Sequence, residues 1–363
     1  MKRSAQQQHR EPFERLSSAQ ASRKKRKKTP FGKAVFIALI VCSVLVLVGI
    51  AGAVYVNQLL NLVDRTPATG DPNLDETDLV DPGELVDQPD SSDAIIDADK
   101  DYQNIGKIDV PKDPNVYNIL LIGTDQRPGD SRGRSDAMII LSINKTTQTV
   151  HLTSLMRAMY VAIPGKDWSM LNHSYSWGGS DLLLRTIENN LRISINDYMV
   201  VNFSGFTQAI DKVGKITINL TQAEASYLNN NTSLPAIFAA GDNQMDGDSA
   251  LAYARIRKLD SDFHRTGRQR TVMESLIAKT RTLNALQMTD LAKSLLPLVN
   301  TNLSQGEMLS LMVDMMQARN YPVKQLMLPE AEYRERIYVR KMEMYRFNFT
   351  KTVETLHLFI YGQ

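Results

Sequence analysis

Ala34 to Val56, AVFIALIVCSVLVLVGIAGAVYV, carries no charge and hardly a polar group. As a helix rising about 1.5 Å per residue it reaches about 34 Å, enough to cross a hydrocarbon core of about 30 Å. A cleaved signal peptide has a shorter apolar region with a small-residue cleavage site just after it. This run is long, and Asn57-Gln58-Leu59-Leu60 continues in helix-friendly fashion, so the sequence predicts an uncleaved anchor at 34–56. Just before it stands RKKRKK, Arg23 to Lys28. Such a run also suits nucleic-acid contact or nuclear targeting. Placed against an apolar span, it fits the positive-inside rule better. The expectation is a cytoplasmic tail (1–33), a single-pass anchor in a cell membrane, and everything after Val56 outside.

The flanks differ sharply in charge. Met1 to Lys33 hold eleven Lys/Arg against Glu11 and Glu14, whereas Val63 to Asp101 hold thirteen Asp/Glu against Arg65 and Lys100. That acidic stretch is rich in Asp, Pro, Gly and Ser, with scattered apolar residues of no consistent period. It predicts a flexible acidic linker over 57–115. The one cysteine, Cys42, lies inside the apolar run, so the exported part has no disulfide and no thiolate chemistry. A domain over 116–363 is long enough to be held by its core alone. The sequons at Asn202 and Asn219 fall on apolar-flanked strand patterns, where a glycan would prevent burial. They favour a bacterial envelope.

The folded part begins near Val116. YNILLIG (Tyr117 to Gly123) reads as a buried strand, and Ala137 to Ile143 with Val150 to Met156 reads as a hairpin. Ser180 is the expected N-cap of a helix running to Asn190. Tyr198 to Phe203 is a strand. The next helix places Phe206, Ile210 and Val213 on one face and stops at Gly214. KITINL is another strand, a short helix covers Ser249 to Ala254, and the remainder is mostly helical around a strand at Val323 to Met327. A helix near Phe347 to Ile360 closes the chain. Strands and helices intermix, which predicts an α/β fold: a mixed sheet with helices on both faces.

Two charged clusters interrupt this pattern. The first is the loop LLIGTDQRPGDSRGRSDAMII, Leu120 to Ile140, with Asp125, Arg127, Asp130, Arg132, Arg134 and Asp136. If its flanking strands are neighbours, Asp125 and Asp136 meet at one sheet edge and can supply oxygen ligands to a hard cation such as Mg2+. Mutual Asp–Arg pairing in a solvated loop is the other reading. Gly129-Asp130-Ser131-Arg132-Gly133 matches a nucleophile elbow, but Pro128 precedes it and a strand, not a helix, follows. The second cluster is ARIRKLDSDFHRTGRQR, Ala254 to Arg270. Thr266 and Gln269 have capping-box spacing, so a helix is expected to start there, with Arg265 beside the cap and Arg268 and Arg270 near its first turn. Cations at a helix N-terminus oppose the dipole, which points to an anion site for phosphate. Arginine rather than lysine suits bidentate phosphate contacts. Neutralisation by Asp260 and Asp262 is the alternative. There is no P-loop and no HExxH, and no cysteine outside the apolar run to build a zinc site. His264 reads as a satisfied loop histidine, and Trp168 and Trp177 as packing or rim residues.

Taken in order, NILLIGTDQRPGDSRGRSDAMIILSI, SLMRAMYVAIPGK, LNHSYSWGG, YMVVNFSGF, DKVGK and ALAYARIRKLDSDFHRTGRQR resemble the LytR-CpsA-Psr family of bacterial envelope proteins. The likeness runs from about Tyr117 to Ile277, and a tail with a single anchor is also that family's layout. The resemblance implies a three-layer α/β/α sandwich around a mixed sheet. It implies a phosphotransferase that moves a glycopolymer, teichoic acid or capsule, from an undecaprenyl-pyrophosphate carrier to peptidoglycan, with the lipid tail in an apolar tunnel. By motif, Asp125 and Asp136 would hold Mg2+ and Arg134, Arg157, Arg255, Arg257, Arg265, Arg268 and Gln269 would line the pyrophosphate; Asp125, Asp136 and Arg157 would be catalytic. The partners implied are the lipid-linked glycan, the peptidoglycan acceptor and the membrane, with no nucleic acid. Two departures stand out: Ala158 follows Arg157 where the family has an aspartate, and Lys215 follows Gly214 where it usually has a second glycine. Ala158 keeps a second function open, a non-catalytic binder of polyprenyl phosphates that regulates the envelope.

Overall fold

Val116–Thr124 (β1) is apolar on both faces, as a strand buried from two sides must be. Leu120 and Ile122 point into one core, Ile119 and Leu121 into another. The computed structural model describes residues 54–58, 60–80, 84–125, 133–259 and 262–362. The basic tail, the expected membrane span up to residue 53, residues 126–132 of the first charged loop and Asp260 lie outside them. Among the described residues no helix is long and apolar enough to cross a membrane. The fold is that of the unit Val56–Gln363.

After β1 the strands are Ser135–Asn144 (β2), Thr149–Leu155 (β3), Tyr160–Val161 (β4), Ser169–Met170 (β5), Asp197–Asn202 (β6), Ile216–Leu220 (β7), Gly241–Met245 (β8), Val299–Thr301 (β9), Val323–Leu328 (β10), Arg334–Val339 (β11) and Met342–Phe347 (β12). The helices are Ser92–Ile105 (α1), Leu171–Leu191 (α2), Phe203–Val213 (α3), Gln222–Asn231 (α4), Gly247–Ala254 (α5), Asp262–Thr280 (α6), Ala285–Leu295 (α7), Gln305–Gln317 (α8) and Phe349–Tyr361 (α9). Six strands form one sheet in the order β10-β3-β2-β1-β6-β9. β1 runs antiparallel to β2 and parallel to β6, so the sheet is mixed, as expected. Leu183 and Ile187 of α2 and Val353 and Leu356 of α9 cover one face. Met308 and Leu311 of α8, with Met273 and Ile277 of α6, cover the other.

A third apolar cluster sits beside this sheet. Ile210 and Val213 of α3 pack with Ile216 and Ile218 of β7, Met245 of β8 and Val272 of α6. Asn202 caps α3, accepting from the Gly205 amide at 2.9 Å, so this sequon asparagine has a structural task. Asn219 is exposed on β7 and donates to Asp242, so burial gives no argument against a glycan there. Gly214 ends α3 at φ 77°, and Lys215 follows at φ 49°. The backbone is left-handed at both positions, which accounts for a glycine preference at the second.

The acidic stretch differs from expectation. Residues 57–115 are not a free tether: Leu60 and Val63 pack with Met308 and Leu311, and Leu79, Val80, Ala98 and Ile105 join the main core. Helix α1 supplies Ala98 and Ile105, two turns apart on one face, while Leu60, Val63, Leu79 and Val80 come from before it, so the stretch as a whole shows no single period. Near Ala68 the segment threads a break in α2. Gly179 has φ 62°, and a Cβ there would sit 1.6 Å from the Ala68 carbonyl oxygen. That carbonyl accepts from the Ser180 amide, while the Asp71 amide donates to Ser176. The helix expected from Ser180 is therefore the second half of α2; its first half, Leu171 to Trp177, carries too many polar residues to show an apolar stripe. Trp177 is buried and donates its indole N–H to Leu74, and Trp168 packs against Tyr102, Tyr160 and Phe349. The β11–β12 hairpin falls in a region expected to be mostly helical.

Candidate functional site

A cavity of about 380 Å³ lies between the sheet and helices α3, α5 and α6. Leu121, Ile139 and Val201 line it from the sheet, and Phe206 and Leu276 from the helices. Asp125, Arg134, Asp136, Arg255, Arg257, Arg265 and Gln269 supply its polar lining. An apolar chamber with cations and carboxylates on its wall suits an amphiphile with an anionic head.

Two local devices build this. In the β1–β2 pair Gly123 faces Ala137, but Thr124 faces Ser135, which leaves Asp136 as the extra residue of a bulge. A bulge re-aims its side chain out of the ladder. Beyond it, Asp125 accepts the Arg134 amide at 2.8 Å, and the Arg134 guanidinium lies 3.3 Å from its other oxygen. On α6, Arg265 and Gln269 are one turn apart, and Val272, Met273 and Leu276 continue the same face deeper. One helix thus supplies both the polar wall and the apolar wall. Gln269 also donates to the Asp136 carbonyl at 3.3 Å.

α6 begins at Asp262, earlier than the Thr266–Gln269 spacing predicts. Thr266 is therefore a buried residue inside the helix and not its cap. Arg265 is 3 % exposed and lines the cavity. Arg268, expected among the phosphate ligands, is directed elsewhere. Its Nε donates to Glu224 at 2.7 Å and its Nη1 to the Ile256 carbonyl, which ties α6 to α4. A buried guanidinium needs such partners, and the turn of the helix aims it away from the chamber. His264 is exposed on α6 and not in a loop.

Arg255 stacks over the Phe203 ring at 4.6 Å. Arg157 stands just beyond β3, with its Nη1 3.9 Å from Asp136 and its Nη2 donating to Glu84 at 2.9 Å. Glu84 also forms an ion pair with Arg257. Sequence reasoning missed Glu84, and nothing distinguished it among the carboxylates of the acidic stretch. Among the described residues no group of three or more His, Cys, Asp or Glu could hold a metal. The pair Asp125 and Asp136 nevertheless fits Mg2+, which is commonly held by one or two carboxylates together with phosphate oxygens and water.

A family model described as the LytR_cpsA_psr family matches residues 87–356. The polyisoprenyl-teichoic acid–peptidoglycan teichoic acid transferase TagU of Oceanobacillus iheyensis is 36 % identical over 218 residues, which are 58 % of this chain and 66 % of that relative. The crystal structure of Bacillus subtilis TagT aligns at a TM-score of 0.57 and 24 % identity, covering 69 % of this chain and 94 % of that one. The LytR-CPS2A-psr family protein YwtF (TagT) with bound octaprenyl pyrophosphate lipid aligns at 0.55 and 22 % identity, covering 69 % and 93 %. Both share the α/β fold with its central mixed sheet. This chain belongs to the LytR-CpsA-Psr family.

Proposed function

We infer that the protein is a glycopolymer transferase that takes a teichoic-acid-type polymer from a polyprenyl-pyrophosphate carrier and joins it to peptidoglycan. The observation that carries this is the cavity whose apolar chamber opens on a cluster of arginines and aspartates. The prenyl chain occupies the apolar part, and Arg134, Arg255, Arg257 and Arg265 grip the pyrophosphate. Relatives named as teichoic acid transferases support the same reading. The acceptor's hydroxyl oxygen attacks the phosphorus next to the polymer. The bridging P–O bond breaks, polyprenyl phosphate leaves with its electron pair, and the hydroxyl proton passes to solvent water. Such a reaction needs alignment and neutralised oxygen charge more than a protein nucleophile. Asp125 and Asp136 would hold Mg2+, which when bound supplies charge neutralisation at phosphate oxygens. The apolar run 34–56 anchors the chain in the cell membrane, with the domain on the outer side, where the acceptor is.

The test is transfer of a labelled polyprenyl-pyrophosphate-linked saccharide to a peptidoglycan fragment by the full chain. Transfer is expected, with loss on chelation and in Asp125→Asn. Tight lipid binding with no transfer would favour the non-catalytic binder, and transfer that ignores both chelator and Asp125→Asn would remove the metal from the account. A reporter fused after Gln363 should be active only outside the cytoplasm.

A further inference from the structure

Arg157 and Arg257 come from different parts of the fold, one just beyond β3 and the other just beyond α5. Two guanidiniums brought together at one site repel each other unless an anion lies between them. Here that anion is Glu84. It accepts from Arg157 Nη2 at 2.9 Å and pairs with Arg257, while Arg157 Nη1 lies 3.9 Å from Asp136. The result is an alternating chain, Asp136–Arg157–Glu84–Arg257, in which Asp136 and Arg257 both line the cavity. Arg157 is only 11 % exposed at its side chain, so its orientation depends on its partners more than on water.

Glu84 is held in place from the other side. Leu85 bridges to Met342, and the Val86 amide donates to the Lys341 carbonyl at 2.8 Å. Further along, the Ser91 amide donates to Tyr338, and Asp90 accepts the Arg340 amide at 2.8 Å. The β11–β12 hairpin thus clamps the acidic segment and delivers one of its carboxylates to the site. The residue after Arg157 is Ala158, which offers no carboxylate.

We propose that Glu84 is a positioning residue of the transfer reaction: its carboxylate, brought in by the acidic segment, holds the guanidiniums of Arg157 and Arg257 in register for the pyrophosphate. The proposal rests on the transferase reading. Glu84 acts through the arginines and carries no bond-making role itself.

The test uses the full chain in detergent, with a fluorescent polyprenyl-pyrophosphate-linked disaccharide as donor, a peptidoglycan fragment as acceptor, and octaprenyl pyrophosphate for binding. Glu84→Gln keeps the shape and removes the charge. Its kcat is expected to fall at least tenfold, while the Kd for octaprenyl pyrophosphate moves less than threefold and the melting temperature stays near that of wild type. In an Arg257→Ala background the same substitution should cost less than threefold, because the effects of residues in one ion-pair network are not additive. Wild-type turnover by Glu84→Gln would overturn the proposal alone. So would lipid binding tightened tenfold with turnover kept, since that marks Glu84 as a plug competing with phosphate. An equal loss in both backgrounds would overturn action through Arg257. A wild-type chain that binds lipid and transfers nothing would overturn the positioning role and the transferase reading together.

Discussion

Glu76 and Glu84 belong to the same acidic segment, and each grips an arginine, yet their surroundings assign them different work. Glu76 is enclosed. It accepts from Ser169, takes two hydrogen bonds from Arg340 and lies 3.6 Å from His173, whose side chain is fully buried. Burial pushes the His173 imidazole below its ordinary range, so near neutral pH it sits there uncharged. Glu84 is more open and spans two guanidiniums, one of which lines the cavity. A carboxylate whose lone pairs are spent on buried partners locks a shape. One laid between two cations at a ligand site sets the direction of those cations. Composition cannot separate these cases, because what decides is which part of the domain each residue meets.

The largest effect that could break this contrast is on stability. Removing the Glu76 carboxylate leaves Arg340, which is 41 % exposed, to water, but it strands the buried Ser169 hydroxyl and His173 ring without their acceptor, which costs about 1–3 kcal/mol. Glu76→Ala should lower unfolding free energy by about that much and free residues near Ser169 and Arg340 in hydrogen exchange. Octaprenyl pyrophosphate binding by the fraction still folded should stay within threefold of wild type. A binding loss as large as the stability loss would make the Glu76 network part of the ligand site and erase the distinction.

The pH dependence sharpens the same point. Burial raises the Glu76 carboxyl, but hydrogen bonds with His173, Arg340 and Ser169 outweigh it and hold the group at about 2, down from 4.5. A depressed carboxyl contributes stability above its unfolded value and loses it as pH falls through the folded one. Of the order of 3 kcal/mol should therefore disappear between pH 4.5 and about 2. Glu76→Gln should flatten that limb in acid-unfolding curves. An unchanged acid limb would mean that other carboxylates carry it.

Binding comes next in size. Arg257→Ala removes a cation that lines the cavity and should weaken octaprenyl pyrophosphate by about 1.5–3 kcal/mol, the range for a hydrogen bond to a charged group. Calorimetric titration would read this as at least a tenfold rise in Kd. Arg268→Ala should differ, since Arg268 is spent on Glu224 and Ile256: stability falls and lipid affinity of the folded protein holds. Equal binding losses in the two variants would return Arg268 to the phosphate site.

The contrast between these arginines shows what sequence reasoning reaches. Strands whose two faces are both apolar, such as β1, announce themselves without their partners, and the placement of Asp125 and Asp136 followed from that one pairing. The bulge that turns Asp136 outward did not, because register is settled between strands. Thr266 and Gln269 have the spacing of a cap, but α6 has already begun at Asp262, and local hydrogen-bonding options yield to tertiary packing. Lys215 was visible as a departure, and its left-handed φ of 49° explains why a glycine suits that position. The acidic segment was the largest miss. Leu79 and Val80 reach the core from a stretch with no period. Of its described residues, α1 turns only Ala98 and Ile105, two turns apart, fully into it, too narrow a stripe among its acidic residues to stand out in the sequence.

The smallest predicted effect is the one that completes the comparison. Glu84 is 24 % exposed at its side chain and Arg257 39 %; Arg157 is only 11 % exposed, but the amide oxygen of Glu84→Gln can still accept its hydrogen bond. Ion pairs open to water contribute about 0–1 kcal/mol, because solvent screens the attraction and both side chains lose rotamer freedom. Glu84→Gln should therefore lower unfolding free energy by less than about 1 kcal/mol, below the loss for Glu76→Ala. Raising salt from low to molar concentration should shrink even this difference, since the Debye length falls to about 3 Å and exposed pairs lose most of their attraction. Paired urea titrations of wild type and Glu84→Gln at the two salt levels would measure it. A loss of about 3 kcal/mol or more would show that Glu84, like Glu76, is a buried fastener of the N-terminal segment. Any change in turnover would then follow from a loosened fold and not from two arginines left unguided.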